Sequence, residues 1–173
     1  NIKNEIIKPL NIDMVSKFHY NEESVNGHYV GRKWSKNERN KLCPIKKGEY
    51  FSLPFEAPAG NEFFISVIDS AKYCQSYLRS FNNNGLLDLS TVKYLTTPII
   101  ENYGYGWDIT EDYIRHNGQE FFTETEYIIY PQKNIGMVVS TNMHNSEVIG
   151  PSRTIRREFI RMMKKIKKKN KTK

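Results

Sequence analysis

A chain of 173 residues with 38% hydrophobic and 13% aromatic residues can bury the core of one folded domain, which excludes an intrinsically disordered chain. The net charge of +7 is uneven: residues from Pro151 onward hold 11 Lys and Arg and 1 Glu, so the first 150 hold 15 basic and 18 acidic groups. A mildly acidic body with a basic end argues against a nucleic-acid groove in the body. No apolar run approaches the roughly 18 residues of a membrane span.

The first predicted element is a helix at the start of the chain. Ile2, Ile6 and Ile7 lie on one helical face, and Pro9 is predicted to end the helix. Residues 14–50 are polar and poorly periodic, and we interpret them as an extended loop with short strand pieces. Loops of this length are uncommon in compact domains unless they are functional.

A longer helix is predicted from Ser66, its candidate N-cap, with Asp69 favouring the first turn. Apolar residues recur at steps of three and four and predict one buried stripe. That stripe consists of Val67, Ala71, Cys74, Leu78 and Phe81. Gly85 follows three asparagines and is predicted to end the helix as a left-handed C-cap.

The second half of the chain is predicted to be a sheet closed by a helix. After a short helix over 90–96 come four runs rich in Val, Ile, Tyr and Phe, "NYGYGWDI", "DYIRHNG", "FFTETEYIIYP" and "NIGMVVSTN". Pro131 and the three residues after it predict a hairpin turn. A final helix over 152–168 is predicted to pack its apolar face on the sheet. That face consists of Ile155, Phe159, Met162, Met163 and Ile166. Helices followed by antiparallel strands predict an α+β fold, an antiparallel sheet with flanking helices.

Cysteines and histidines do not form a metal or disulfide pattern. Cys43 and Cys74 stand alone, without a C-x-x-C pair. His19, His28 and His144 lack metal-ligand spacing. We therefore expect neither a metal nor a cofactor.

Several segments resemble the β-lactamase-related serine hydrolases, which include class C β-lactamases, penicillin-binding proteins and DD-peptidases. The stretch "PAGNEFFISVIDSAKYCQSYLRSFNNNGLLDLSTVKYLTTP" is similar to the family's Pro-Ala-Gly, amphipathic helix, Gly-Leu-Leu and Thr-Pro pattern. "YGYGWDI" resembles its Tyr-Gly-x-Gly-Trp strand, and "RHNGQEFFTETEYIIYPQKNIGMVVSTN" its His-x-Gly strand and hairpin. "EIIKPLNIDMVSKF" resembles its Pro-Leu-Gly-Met segment, with Asn11 and Ile12 in place of the last two residues. The resemblance covers roughly residues 2–142.

The resemblance implies a role for four consecutive residues, His116, Asn117, Gly118 and Gln119. The first three fall on the family's third active-site box, a strand that borders the substrate pocket. There, a donor at His116 would hold a substrate carboxylate or polarise the proton network. The small Gly118 would let substrate lie along the strand edge. The backbone N–H of Gln119 would be the oxyanion-hole donor.

The family's first two boxes, Ser-x-x-Lys and Tyr-x-Asn, precede the Pro-Leu-Gly-Met segment and are absent from this chain. Ser90 and Lys93 do spell Ser-x-x-Lys, but they fall on the short helix before Thr97-Pro98, where helix capping explains Ser90. No catalytic residue is therefore assigned. The implied activity is cleavage of an amide or ester in a peptidoglycan-like peptide, a β-lactam or a small ester, through an acyl-serine whose nucleophile lies outside this chain.

The resemblance implies that residues 1–168 are the C-terminal part of a β-lactamase or transpeptidase-like domain and that 169–173 are a basic tail. The implied partners are a small-molecule or peptidoglycan-like substrate and the N-terminal half of the same domain. A site outside the cytoplasm, at the cell envelope, is also implied. Two alternatives stay open. The chain is a catalytically inactive, truncated relative, or it binds cell wall or an anionic surface through its clustered C-terminal lysines. No specific nucleic-acid partner is expected.

Less specific interpretations also stay open for the site residues. His116 fits an exposed histidine at a strand edge, and Gly118 fits an ordinary turn glycine. Tyr103, Tyr105 and Trp107 fit sheet packing better than substrate contact.

Overall fold

A computed structural model describes residues 2–16, 28–30, 42–44, 63–120, 123–143 and 150–171. The sheet and the helices on its two faces follow the predicted order, so the fold is α+β as expected. No helix among the described residues is both long and apolar enough to cross a bilayer.

The chain begins with a π-helical turn, Lys3–Ile7, which runs into a short helix α1, Lys8–Leu10. Pro9 lies in the first turn of α1, where its missing N–H costs nothing, so it does not end the helix as predicted. The helix ends instead at Asn11, whose φ of 48° is left-handed. Strand β1, Met14–Ser16, follows.

Within residues 14–50, predicted as an extended loop with strand pieces, the structure describes 14–16, 28–30 and 42–44, and each of these is a strand. The rest of the predicted loop lies outside the described residues. Strand β2, His28–Val30, pairs with β3, Leu42–Pro44, in an antiparallel two-stranded sheet. β1 pairs with β4, Phe63–Ile65, in a second two-stranded sheet. The three glycines of this stretch, Gly27, Gly31 and Gly48, lie outside the described residues.

Helix α2, Val67–Ser80, starts as predicted. The Ser66 hydroxyl accepts a hydrogen bond from the backbone N–H of Asp69 at 3.0 Å, which satisfies one of the free donors of the first turn. The buried stripe differs from the prediction. Val67 is 49% exposed and Ala71 is exposed, while the side facing the sheet also carries serines and tyrosines. The buried stripe contains Ser70, Cys74, Tyr77 and Leu78, and Tyr73 and the predicted Phe81 are partly buried against the same core.

Gly85 does not end α2 in a left-handed conformation; Asn83 does, with a φ of 57°. Gly85 is needed for space, because an added Cβ would collide with the backbone oxygen of Ser76 and the hydroxyl of Ser80. This close approach is fixed by two side chains of α2. The Ser76 hydroxyl accepts from the N–H of Leu86, and the Ser80 hydroxyl from that of Leu87.

Helix α3, Leu89–Leu95, is the short helix predicted over 90–96. Its cap is Asp88 and not Ser90, because the Asp88 carboxylate accepts from the N–H of Thr91 at 2.7 Å. A loop then leads into the main sheet.

The main sheet has four antiparallel strands in the order β5-β6-β7-β8. The strands are β5, Asp108–Ile109; β6, Ile114–Glu120; β7, Thr123–Tyr130; and β8, Ile135–Thr141. The predicted turn joins the last two: Pro131–Lys133 form a 3-10 turn, and Asn134 is left-handed, with a φ of 52°. Helix α4, Pro151–Lys171, closes the fold and runs three residues beyond the predicted end.

The two faces of the sheet carry different cores. On the α2 face, Ile114 and Ile129 pack with Trp107, Val92 and the buried stripe of α2. On the α4 face, Ile128, Tyr130 and Met163 pack with Met137 and Phe159 among others. Because neighbouring strand residues point to opposite faces, Ile128 and Ile129 serve one core each.

The predicted apolar face of α4 is only partly buried. Met163 and Phe159 contact the sheet. Ile155, Met162 and Ile166 are 46%, 50% and 40% exposed. The sheet-facing side of the helix is shared with polar residues, since Ser152 and Arg156 bind buried carboxylates on β7.

Cys74 lies on α2 where the helix crosses β8, and a Cβ added at Gly136 would lie 2.9 Å from its sulfur. Burial raises the pKa of this thiol to about 11. Cys74 is a free thiol in the structure.

Candidate functional site

The four candidate residues, His116, Asn117, Gly118 and Gln119, lie in the exposed half of β6. Strand β5 pairs with β6 only at Ile114 and Arg115. Among the described residues, the stretch 116–120 therefore has β7 as its one hydrogen-bonded neighbour strand. The other edge of this stretch has no strand partner among the described residues, and an unpaired strand edge is the kind of surface to which an extended ligand can bind.

His116 is exposed and lies on the α2 face of the sheet, beside an aromatic wall. Its ring meets the edge of the buried Trp107 indole, with ring centroids 6.3 Å apart and planes inclined by 71°. Tyr127 is its direct neighbour on β7. The wall limits where the imidazole can turn, while its exposed edge stays available to a ligand.

Gly118 shares the His116 face, two residues further along the strand. It is paired with Thr125 in the middle of a regular ladder, so the interpretation of Gly118 as a turn glycine is wrong. An added Cβ would meet no atom within 4 Å. Packing within the described chain does not require a glycine here, and its effect is to leave the surface beside His116 low and open.

Asn117 and Gln119 point to the opposite face, toward α4. The Gln119 side chain donates from Nε2 to Glu124 Oε1 at 2.7 Å. Asn117 lies opposite Glu126 in the ladder. The strand thus divides the candidates two and two: His116 and Gly118 share the α2 face, and Asn117 and Gln119 share the α4 face.

Glu124 and Glu126 are two carboxylates on β7 with fully buried side chains, and sequence reasoning missed both. Burial raises the pKa of Glu124, but hydrogen bonds from Ser152, Gln119 and Arg153 outweigh it, and the net pKa is lowered. Burial raises the pKa of Glu126, and Arg156 offsets this only in part. The available signal in the sequence was the alternation of the two glutamates in "TETEY", together with the arginines Arg153 and Arg156 in the terminal helix, with which they could pair.

The Tyr-Gly-x-Gly-Trp segment places Trp107 beneath His116. It is mostly a turn and not the predicted strand: Asp108 and Ile109 pair with β6, and Tyr103 forms isolated bridges with Ile100 and Asp108. Gly104 fits tightly, because a Cβ there would come within 2.9 Å of the backbone oxygens of Leu95 and Thr97. Gly106 adopts a φ of 83°, which side chains rarely tolerate.

Of the three aromatic residues in this segment, only Trp107 is buried. Tyr103 and Tyr105 are exposed, so the expectation of sheet packing holds for Trp107 alone. Tyr105 pairs with Tyr94, their hydroxyls 2.6 Å apart and their ring centroids 5.0 Å apart. The hydrogen bond to Tyr94 raises the pKa of Tyr105.

Ser90 is engaged at the start of α3. Its hydroxyl hydrogen-bonds the capping carboxylate of Asp88. This bond, with those from Thr91, lowers the pKa of Asp88 to about 2. The Asp88 carboxylate stays ionised and holds the Ser90 hydroxyl, an arrangement that serves the cap of a seven-residue helix.

The segment that resembles the Pro-Leu-Gly-Met pattern, residues 9–12, is hydrogen-bonded to the start of α2. Lys72 donates to the backbone oxygen of Asn11 at 2.9 Å and to Asp69 at 2.6 Å. Asn11 replaces the glycine of the Pro-Leu-Gly-Met pattern, and its left-handed backbone explains why asparagine fits there. Ile12, in place of the methionine, is buried.

The described residues contain no group of three or more His, Cys, Asp or Glu side chains placed to hold a metal ion. His28 lies on β2, while His19 and His144 lie outside the described residues.

Comparison with known proteins shows the fold. No protein-family model matches the sequence, and no curated protein matches it. The structure is similar to a penicillin-binding protein from Bacillus halodurans, with a TM-score of 0.60 and 15% identity over 83% of this chain and 44% of that one. It is also similar to the octameric penicillin-binding protein homologue from Pyrococcus abyssi, with a TM-score of 0.59 and 21% identity over 82% of this chain and 33% of that one. A third similar structure is described as SurE, with a TM-score of 0.60, 14% identity, and 82% and 35% of the two chains covered.

The chain therefore has a fold like that of penicillin-binding proteins, and it spans less than half the length of each of these structures. At such low identity the likeness concerns the fold alone.

Proposed function

We propose that this chain forms the substrate-side edge of a penicillin-binding-protein-like serine hydrolase. The supporting observation is that His116 and Gly118 lie side by side on an open strand edge in a fold of this kind. Both residues are exposed and neither lies beneath α4, as a substrate edge requires.

In the proposed reaction, a serine supplied by polypeptide outside these residues attacks the carbonyl carbon of an amide or ester. The bond to the amine or alcohol breaks, and the acyl group stays on the serine oxygen until water releases it. His116 would hold a carboxylate or a polar group of the substrate. The N–H of Gln119 would stabilise the negative charge that develops on the carbonyl oxygen.

The test is covalent labelling of the full-length gene product with a fluorescent penicillin and a fluorophosphonate, with the labelled serine mapped by peptide mass spectrometry. We expect one adduct, on a serine outside these 173 residues, and none on this chain alone. Ser90→Ala should leave labelling unchanged, whereas His116→Ala should slow it by about 100-fold. Gln132→Ala, an exposed change in the distant turn, is the matched control.

Three results would overturn the proposal: an adduct on Ser90, equal labelling of His116→Ala and the control, or no adduct with either probe. The last result would favour the non-catalytic relative.

A second candidate function is binding to an anionic surface through α4. Arg157, Arg161, Lys164 and Lys165 are exposed on this helix, and the exposed Ile155, Met162 and Ile166 recur at helical spacing beside them. A basic helix with exposed apolar residues suits an anionic membrane or wall polymer.

Co-sedimentation with vesicles containing about 30% anionic lipid tests this candidate. The assay is run at about 0.1 M salt, where surface charges more than about 10 Å apart are largely screened. Deletion of everything after Met163 removes Lys164, Lys165, Ile166 and the lysines that follow, so it should weaken binding strongly, and neutral vesicles should not bind. Unchanged binding after the deletion would remove the candidate.

A further inference from the structure

A single buried carboxylate joins the candidate substrate edge to the terminal helix. The Glu124 side chain accepts from Gln119 Nε2 at 2.7 Å and from Arg153 Nε at 2.8 Å, both at Oε1, and from the Ser152 hydroxyl at Oε2. Its side chain has no exposed surface. A buried carboxylate is tolerated only when such donors satisfy it, so losing any one of the three partners would leave Glu124 less well satisfied.

The three donors come from two separate elements. Gln119 is the residue directly opposite Glu124 in the β6–β7 ladder and follows His116–Gly118 in the chain. Ser152 and Arg153 are in the first turn of α4. Among the described residues, this end of β6 has β7 as its one neighbour strand. Glu124 thus links this end of β6 to α4 on the opposite face of the sheet.

We propose that Glu124 is a positioning residue for this edge. It acts through the Gln119 side chain, touches no substrate, and keeps the backbone of 117–120 in one place. The inference rests on the proposed function in one respect: the edge it positions is the one assigned to the substrate. The positioning itself does not depend on that assignment.

Glu126 is a matched control built into the same strand. It lies two residues along on the same face and is equally buried. Its hydrogen bonds among the described residues come from Arg156 of α4, at 2.8 and 3.1 Å, and none comes from a side chain of β6. Removing Glu126 therefore disturbs the α4 contact without releasing Gln119.

The decisive measurement is hydrogen exchange of the backbone amides of 117–120 in the full-length gene product, with each variant kept at the same interval below its own Tm. Glu124→Met and Gln119→Leu should each speed exchange there about 10-fold, because both remove the charge-assisted hydrogen bond between Gln119 and Glu124. Glu124→Met also removes the bonds from Ser152 and Arg153, which hold α4 and not β6. Glu126→Met should change it less than about twofold. Gln119→Leu leaves Glu124 its two partners on α4, so it keeps the test available if Glu124→Met fails to fold.

Equal effects of Glu124→Met and Glu126→Met on these amides, or no effect of Gln119→Leu, would overturn the proposal. Acylation by the fluorescent penicillin adds a second readout. Both Glu124→Met and Gln119→Leu should slow acylation about 10-fold, and the double variant should be no slower than either. Absence of acylation in the unsubstituted protein would defeat the proposed function, while the exchange data would still decide whether Glu124 positions the edge.

Discussion

The two faces of the main sheet are held to their helices by different forces. On the α2 face, aromatic rings interlock: Tyr77 lies 4.8 Å from Trp107 and 6.2 Å from Tyr73, measured between centroids. On the α4 face, two arginines pair with buried carboxylates beside a small core that contains Met163. Apolar burial is strong and insensitive to direction, whereas ion pairs fix which helix residue lies over which strand residue. We therefore expect the first face to contribute more to stability and the second to set the register of α4.

The largest expected effect comes from truncating the neighbouring isoleucines of β7. Ile129→Ala should lower the free energy of unfolding by about 4 kcal/mol and Ile128→Ala by about 3 kcal/mol. The difference arises because Met137 and Met163 near Ile128 are flexible enough to fill part of the cavity, while the rings near Ile129 are not. Urea unfolding measures both. A larger loss for Ile128→Ala would reverse the comparison between the faces.

Breaking one ion pair on the α4 face comes next. Arg156→Ala leaves the buried Glu126 without its arginine and should cost about 3 kcal/mol. Replacing both residues by leucine should cost less than about 1 kcal/mol, because no unpaired charge remains. If the double variant is as unstable as the single one, the pair contributes stability and not only register.

The two carboxylates should respond to pH in opposite directions. The folded pKa of Glu124 is lowered, so its stabilisation is present above the ordinary value of 4.5 and is lost as pH falls through the folded pKa. The folded pKa of Glu126 is raised, so its favourable contribution is present below 4.5 and is lost as pH rises through the folded pKa.

Unfolding measured at pH 4 and pH 7 checks these signs. The cost of Glu124→Gln should grow from pH 4 to pH 7, and the cost of Glu126→Gln should shrink. Parallel trends for the two variants would show that the carboxylates share one environment.

The smallest expected effect on stability comes from changing the residues at the starts of α2 and α3. Ser66→Ala removes the cap of α2 and should cost about 1 kcal/mol. Ser90→Ala, near the start of α3, should change stability by less than about 0.5 kcal/mol because Asp88 supplies that cap. Thermal unfolding of the two variants gives the comparison, and equal shifts would contradict it.

The sequence predicted the aromatic side better than the ionic side. Apolar spacing, the Ser66 cap and the turn at Pro131 are local signals, and they placed α2 and the hairpin correctly. Of the five residues predicted to form the buried face of α4, Phe159 and Met163 contact the sheet, whereas Ile155, Met162 and Ile166 are exposed. A periodicity rule assigns Ser152 and Arg156 to solvent, because it takes no account of contacts between distant residues. In the structure they hydrogen-bond to carboxylates on β7 that lie 28 and 30 residues earlier in the chain.

The candidate site divides in the same way. The position of His116 and Gly118 on a strand came from a local pattern and its resemblance to a family. The contact between Gln119 and Glu124 depends on strand register, which the sequence alone left open. Gly85 was predicted from conformation, but it is required by its distance from two serines of α2, a tertiary constraint.

The buried thiol of Cys74 gives the molecule an internal reporter. Because the sulfur lies under α2 against β8, a water-soluble alkylating reagent reaches it only when the helix lifts from the sheet. The rate of alkylation at Cys74 itself, followed on the peptide that contains it, would time that opening directly and without a spectroscopic label.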